Sequence, residues 1–119
     1  MFTQLEQPDQ RHMRDMSDYN GQLNNETGAV MHWLRNEQSV YRYWREQTNL
    51  HRTNAVNCRQ AKEGIWTAEQ AARFNLADQM EAEITEGAPD VKPSVYADLL
   101  TVALFEVNWV EIAANWLEE

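Results

Sequence analysis

The sequence predicts one small all-α domain, with a long helix over about 26–62 packed against two or three shorter helices at about 67–86, 94–106 and 109–118. Three observations carry this prediction. Apolar residues recur at three- and four-residue spacing through most of the chain after Asn25, which is the period of a helical face. Strand signals are weak throughout, and no hairpin dipeptide joins two alternating runs. With 119 residues, 43% of them hydrophobic and five of them Trp, the chain is large enough to bury a core without covalent staples.

The elements follow in order. Residues 1–23 are polar, contain Pro8 and the turn-forming Asp-Tyr-Asn-Gly at 18–21, and show no sustained period. They read as a flexible or loosely packed arm, with Phe2, Leu5, Met13 and Met16 as its anchors, ahead of a helical domain over 24–119. Between Gly28 and Gly64 there is neither Gly nor Pro, and Val30, Leu34, Tyr41, Trp44, Thr48, His51, Ala55 and Cys58 keep helical spacing. At 1.5 Å per residue the resulting helix would be about 50 Å long. Asn49 and His51 to Asn54 are poor helix formers, so a break near 49–54 is the alternative.

Gly64 ends that element, and Thr67 with Gln70 three residues on has the form of a capping box. Trp66 stands before the cap, opposite Ala71, as a staple. Phe74, Ala77, Met80 and Ile84 then form an apolar stripe, and Gly87 and Pro89 stop the helix. Pro93-Ser94 opens the next helix, apolar nearly all round from Leu99 to Val107, which should therefore be the central buried element. Asn108 reads as a final cap with Glu111 three residues later, and Trp109, Ile112, Ala113 and Trp116 share one face.

Charge is unevenly placed. The formal net charge is −9. Residues 35–62 carry five Arg and Lys62 against Glu37 and Glu46, or +4. Residues 66–119 carry eleven acids against Arg73 and Lys92, or −9. The lone Cys58 excludes an intrachain disulfide and multi-thiolate metal clusters, and points to a cytosolic setting. No segment approaches the roughly 20 apolar residues of a membrane span, and the polar opening MFTQLEQPDQ has no signal-peptide core.

No catalytic constellation is present. His12, His32 and His51 lack Glu-x-x-His or His-x-x-x-His partners, and no glycine-rich phosphate loop occurs. The expectation is a non-enzymatic protein with no metal or cofactor. Two surfaces are candidates for binding. Glu81, Glu83, Glu86 and Asp90 surround the exposed end of the second predicted helix and its loop, and carboxylates on a rigid scaffold can imitate duplex phosphates. The alternative is a nucleic-acid face of Arg42, Tyr43, Arg45, Arg52 and Arg59 on the long helix, where guanidiniums grip phosphates and the aromatic ring stacks on a base. The net charge makes direct nucleic-acid binding the weaker expectation. A homodimer through the long helix is a third.

The ending LLTVALFEVNWVEIAANWLEE, with APDVKPSVYAD before it, resembles the C-termini of small uncharacterised proteins from phages and other mobile elements. In size, acidity and helical character the chain is also similar to phage DNA-mimic antirestriction proteins, and Tyr96 to Val102 resembles a short segment of one of them. The resemblance implies a counter-defence inhibitor that docks an acidic face on the basic or nucleic-acid-binding cleft of a host protein. The +4 of residues 35–62 departs from a uniformly negative mimic, so the basic helix would have to be covered or face away.

Overall fold

A computed structural model describes residues 24–119; the predicted N-terminal arm and its anchors lie outside them. The fold is all-α, with no strand among the described residues. Its helices are α1 (Asn25–Asn36), α2 (Gln38–Asn54), α3 (Arg59–Lys62), α4 (Ala68–Glu86), α5 (Val95–Phe105) and α6 (Trp109–Leu117), with a short 3-10 turn at Ala55–Asn57.

The predicted long helix is not continuous. Glu37 is extended (φ −105°, ψ 117°), and its carboxylate accepts from Val40 N and Ser39 Oγ, so it ends α1 and caps α2. Asn36 donates to the His32 carbonyl at 2.7 Å and satisfies part of α1's last turn. These polar side chains do the work that Gly or Pro usually does, which is why spacing alone reads through the break. A second interruption falls just after the expected 49–54, where the 3-10 turn leads to an extended Cys58. Ala55 is buried there against Ala71 and Ala72 of α4, and Cys58 is only half-buried instead of occupying a core position. Small residues on both sides let the two backbones approach closely. Gly64 then takes a φ of +75°, which costs a residue without Cβ little.

The later boundaries match the expected ones closely. Thr67 caps α4 in a reciprocal box with Gln70, Ser94 accepts from Ala97 N at the start of α5, and Asn108 accepts from Glu111 N at the start of α6. Trp66 packs at 5.0 Å on Phe74. The core lies where α6 enters the angle between α1, α2 and α4. Trp109, Ile112, Ala113 and Trp116 are all buried there, against Leu34, Trp44, Leu76 and Met80. Thus α4 and α6 form the centre, and α5 does not. No residue of α5 is buried, and only Leu104 among its residues packs on the core. Its apolar sequence reflects something other than centrality.

Met80 is fully buried in this centre, so Met80→Ala should lower the unfolding free energy by about 2–5 kcal/mol. Thr67→Ala should remove about 1 kcal/mol by uncapping α4. Urea denaturation followed by tryptophan fluorescence measures both, and equal losses would show that the core is centred elsewhere.

Candidate functional site

The four acidic candidates are all exposed. Glu81, Glu83 and Glu86 come from the last turns of α4, and Asp90 follows in the loop to α5. At about 100° per residue, Glu83 and Glu86 lie about 60° apart on the helix, whereas Glu81 is about 140° or more from either. The group therefore wraps the end of α4 instead of forming one flat patch.

Glu83 is also built into a polar ladder between α4 and α2. It accepts from Tyr43 Oη at 2.8 Å and from Gln79 Nε2 at 2.8 Å. Gln79 donates in turn to Gln47 at 2.9 Å, and its carbonyl oxygen lies 2.6 Å from His51 Nε2. Since that oxygen only accepts, His51 Nε2 carries the hydrogen. Gln47 and Gln79 did not stand out as functional residues, although the four-residue spacings Tyr43-Gln47-His51 and Gln79-Glu83 are legible once the two helices are known to lie side by side.

The ladder joins one candidate from each predicted surface, Tyr43 and Glu83. It draws Tyr43 away from the arginines. Arg42 and Arg45 lie on the outward face of α2, where they line a groove of about 420 Å³ with Glu46, Asn49, Leu50 and Thr53. Arg52 turns towards α6 and donates to the Leu117 carbonyl at 3.0 Å and to Asn49 at 2.6 Å. Arg59 sits on α3 and pairs with Glu63 at 3.1 Å. The five residues of the predicted nucleic-acid face are thus divided among four environments, and only Arg42 and Arg45 share a surface.

Further along, Arg35 reaches the end of α6. It donates to Asn115 Oδ1 at 2.8 Å, lies 4.3 Å from the centre of the Trp116 ring and pairs with Glu119. The basic middle and the acidic half therefore meet at the end of α6. Among the described residues, Glu119 is the one acid of 66–119 in an ion pair.

Three carboxyl or phenol groups are shifted. Hydrogen bonds from Ser39 and the Val40 amide hold Glu37 below the usual carboxylate range, as befits a helix cap. Burial pushes Glu111 up. The bond to Glu83 is the main cause that raises Tyr43 above 10.0, with burial and the Glu83 charge adding to it. Among the described residues no three His, Cys, Asp or Glu side chains group as a metal ion requires, and no helix is long and apolar enough to cross a membrane.

Compared with known proteins, the chain matches no family model, no curated protein and no solved structure.

The Tyr43 shift has a definite sign. A folded-state value above the unfolded one means the contribution is complete below pH 10 and is lost as pH rises through the folded value. Tyr43 followed by carbon NMR at Cζ should ionise above pH 10, and Glu83→Gln should move that midpoint down. An unmoved midpoint would show that Glu83 is not the cause.

Proposed function

We propose that this chain is a non-enzymatic binding protein of phage or mobile-element type. It docks its acidic second half on the basic or nucleic-acid-binding cleft of a host protein inside the cell, and so acts as a counter-defence inhibitor. The observation that carries the reading is that ten of the eleven acids in residues 66–119 form no ion pair with a described residue. Rigid helices, not a low-complexity run, hold most of them. Fixed carboxylates of this kind raise the local negative potential and steer a basic partner. The requirement that the basic helix be covered or face away is met in part by Arg35 and Arg52, which are engaged at the end of α6.

The test starts with capture from the host on immobilised chain and identification of the retained protein by mass spectrometry. Binding of that protein is then measured by titration calorimetry against salt for the wild type and for a variant carrying Glu81→Lys, Glu83→Lys, Glu86→Lys and Asp90→Lys. Wild-type affinity should fall as salt rises, and the variant should bind at least about tenfold more weakly, a loss of about 1.4 kcal/mol. Equal affinities would overturn the acidic-face reading.

A second reading rests on Arg42 and Arg45, which make no ion pair among the described residues and border the groove on α2. Two guanidiniums on one face can hold consecutive phosphates, in which case the chain is a nucleic-acid-binding accessory protein. A gel shift at low salt decides it. A shift lost in Arg42→Glu with Arg45→Glu supports this reading, and no shift at micromolar protein removes it.

A further inference from the structure

Helix α5 is the most apolar of the longer helices and yet buries nothing completely. Val95, Tyr96, Leu99, Val102 and Phe105 are 63%, 72%, 60%, 59% and 82% exposed. Helical spacing places Val95, Leu99 and Val102 within about 60° of one another, with Tyr96 and Phe105 on the two flanks of that stripe. The helix is tethered at its C-terminal end while it presents this face. Leu104 on its far side packs on the core, Asn24 Nδ2 donates to the Glu106 carbonyl at 2.8 Å, and Asn108 N donates to the buried Thr27 hydroxyl at 2.8 Å just beyond. Several exposed apolar residues grouped on one face, here bordered by Asp98, mark an interaction surface, whereas single exposed apolar residues would not.

We propose that its occupant is a second copy of this chain, with α5 pairing antiparallel to α5 about a two-fold axis near Leu99. Charge complementarity selects this arrangement. Among residues 66–119 the only cations are Arg73 and Lys92, and Lys92 lies just outside the N-terminus of α5 while Glu106 lies at its C-terminal end. Antiparallel pairing with Leu99 on the axis brings the Lys92 end of each copy towards Glu106 of the other and sets Val95 opposite the small Ala103, with Asp98 of each copy at the rim. Parallel pairing would set Glu106 against Glu106. A two-fold contact of this kind is self-complementary and closes on itself.

The area fits a dimer of modest strength. An aromatic side chain has roughly 150–250 Å² to bury and Val or Leu less, and Phe105 stands about 120° round the helix from Leu99, so the stripe offers at most on the order of 600 Å² per copy. That compares with about 800 Å² per partner in a standard interface. Self-association should therefore be reversible and concentration-dependent. Along the predicted long helix, by contrast, the Trp44 and Thr48 side of α2 is buried within the chain.

This inference does not rest on the acidic-face reading, since Glu81, Glu83, Glu86 and Asp90 lie on α4 and its loop. Salt separates the two. Two chains of charge −9 repel each other, so screening should tighten α5 pairing, whereas it weakens acidic docking.

Light scattering on the full chain, from micromolar to millimolar concentration, should show the mass rise from 13.9 kDa towards twice that value. Leu99→Asp, at an exposed position and with an unchanged circular dichroism spectrum, should weaken association at least tenfold. In a Cys58→Ser background, Leu99→Cys should give a disulfide-linked dimer in glutathione buffer, and Val110→Cys on α6 should not. A constant monomer mass overturns the proposal and leaves the stripe to another segment of the chain or a different protein. A dimer indifferent to Leu99→Asp also overturns it, by placing the seam elsewhere.

Discussion

The fold depends on the burial of one face of α6, and above all on Trp116. This indole is 1% exposed, and its ring packs 5.4 Å from Tyr41 while the Arg35 guanidinium stands 4.3 Å from its centre. Among the described residues its buried Nε1 has no hydrogen-bond partner, an arrangement that costs about 1–3 kcal/mol. Contact between a guanidinium and an indole face contributes about 0.5–2 kcal/mol in return. The larger favourable term is the apolar area of Trp109, Ile112 and Trp116 removed from water together. The helices around α6 must leave a groove of matching width. That need explains both the turn at Glu37, which lets α1 and α2 approach from different directions, and the alanines of α4, which keep its surface low.

The same requirement settles much of the charge distribution. The end of α6 has unsatisfied carbonyls and a negative dipole end, and two arginines of the basic middle are drawn to it. Arg52 takes the Leu117 carbonyl, and Arg35 takes Asn115 and Glu119. Arg59 is matched locally by Glu63. Two of the six cations in the positive segment thus hold the C-terminal helix, and the carboxylates of α4 and α5 are left facing solvent. Neutralisation is local, at one end of α6, and the asymmetry seen along the chain survives on the surface.

Much of this was legible in the residues. Cap chemistry located the starts of α4, α5 and α6, because Thr67, Ser94 and Asn108 satisfy backbone amides three residues ahead whatever surrounds them. The faces of α4 and α6 were legible for a similar reason, since a periodic stripe has one inside. The break at Glu37 was not, because Glu is an uncommon cap and its bonds to Ser39 and the Val40 amide leave no distinctive mark in the residue pattern. Nor was the placement of α5, where uniform apolarity reads as a mark of the centre. Periodicity cannot distinguish a helix buried in its own chain from one that is apolar because another surface covers it. Of the candidate sites, the exposure of Glu81, Glu83, Glu86 and Asp90 followed from the polar faces of α4. The dispersal of Arg42, Tyr43, Arg45, Arg52 and Arg59 did not, since it depends on the breaks that follow α2 and on the pull of α6.

The acidic end of α4 and the apolar stripe of α5 are adjacent in sequence but make opposite demands on the solvent. Carboxylates are most effective when exposed and fixed, and an apolar stripe is stable only when covered. A two-fold pairing through α5 would reconcile the two demands in one particle. It would remove the stripe from water while leaving the α4 carboxylates of both copies outside the seam, since none of Glu81, Glu83, Glu86 and Asp90 belongs to α5. Such a particle presents two acidic ends to a partner. A partner with two basic sites at the right separation would then bind the second end at the effective concentration set by the rigid dimer, gaining avidity without a new contact. The weakness of an interface near 600 Å² per copy also becomes intelligible on this view. Mutual repulsion of two acidic chains keeps the pair dissociated when dilute, and a cationic partner that neutralises both ends lowers that repulsion and favours the pair. The charge and the apolar face are thus coupled through one electrostatic term, with the sign set by what occupies the acidic ends.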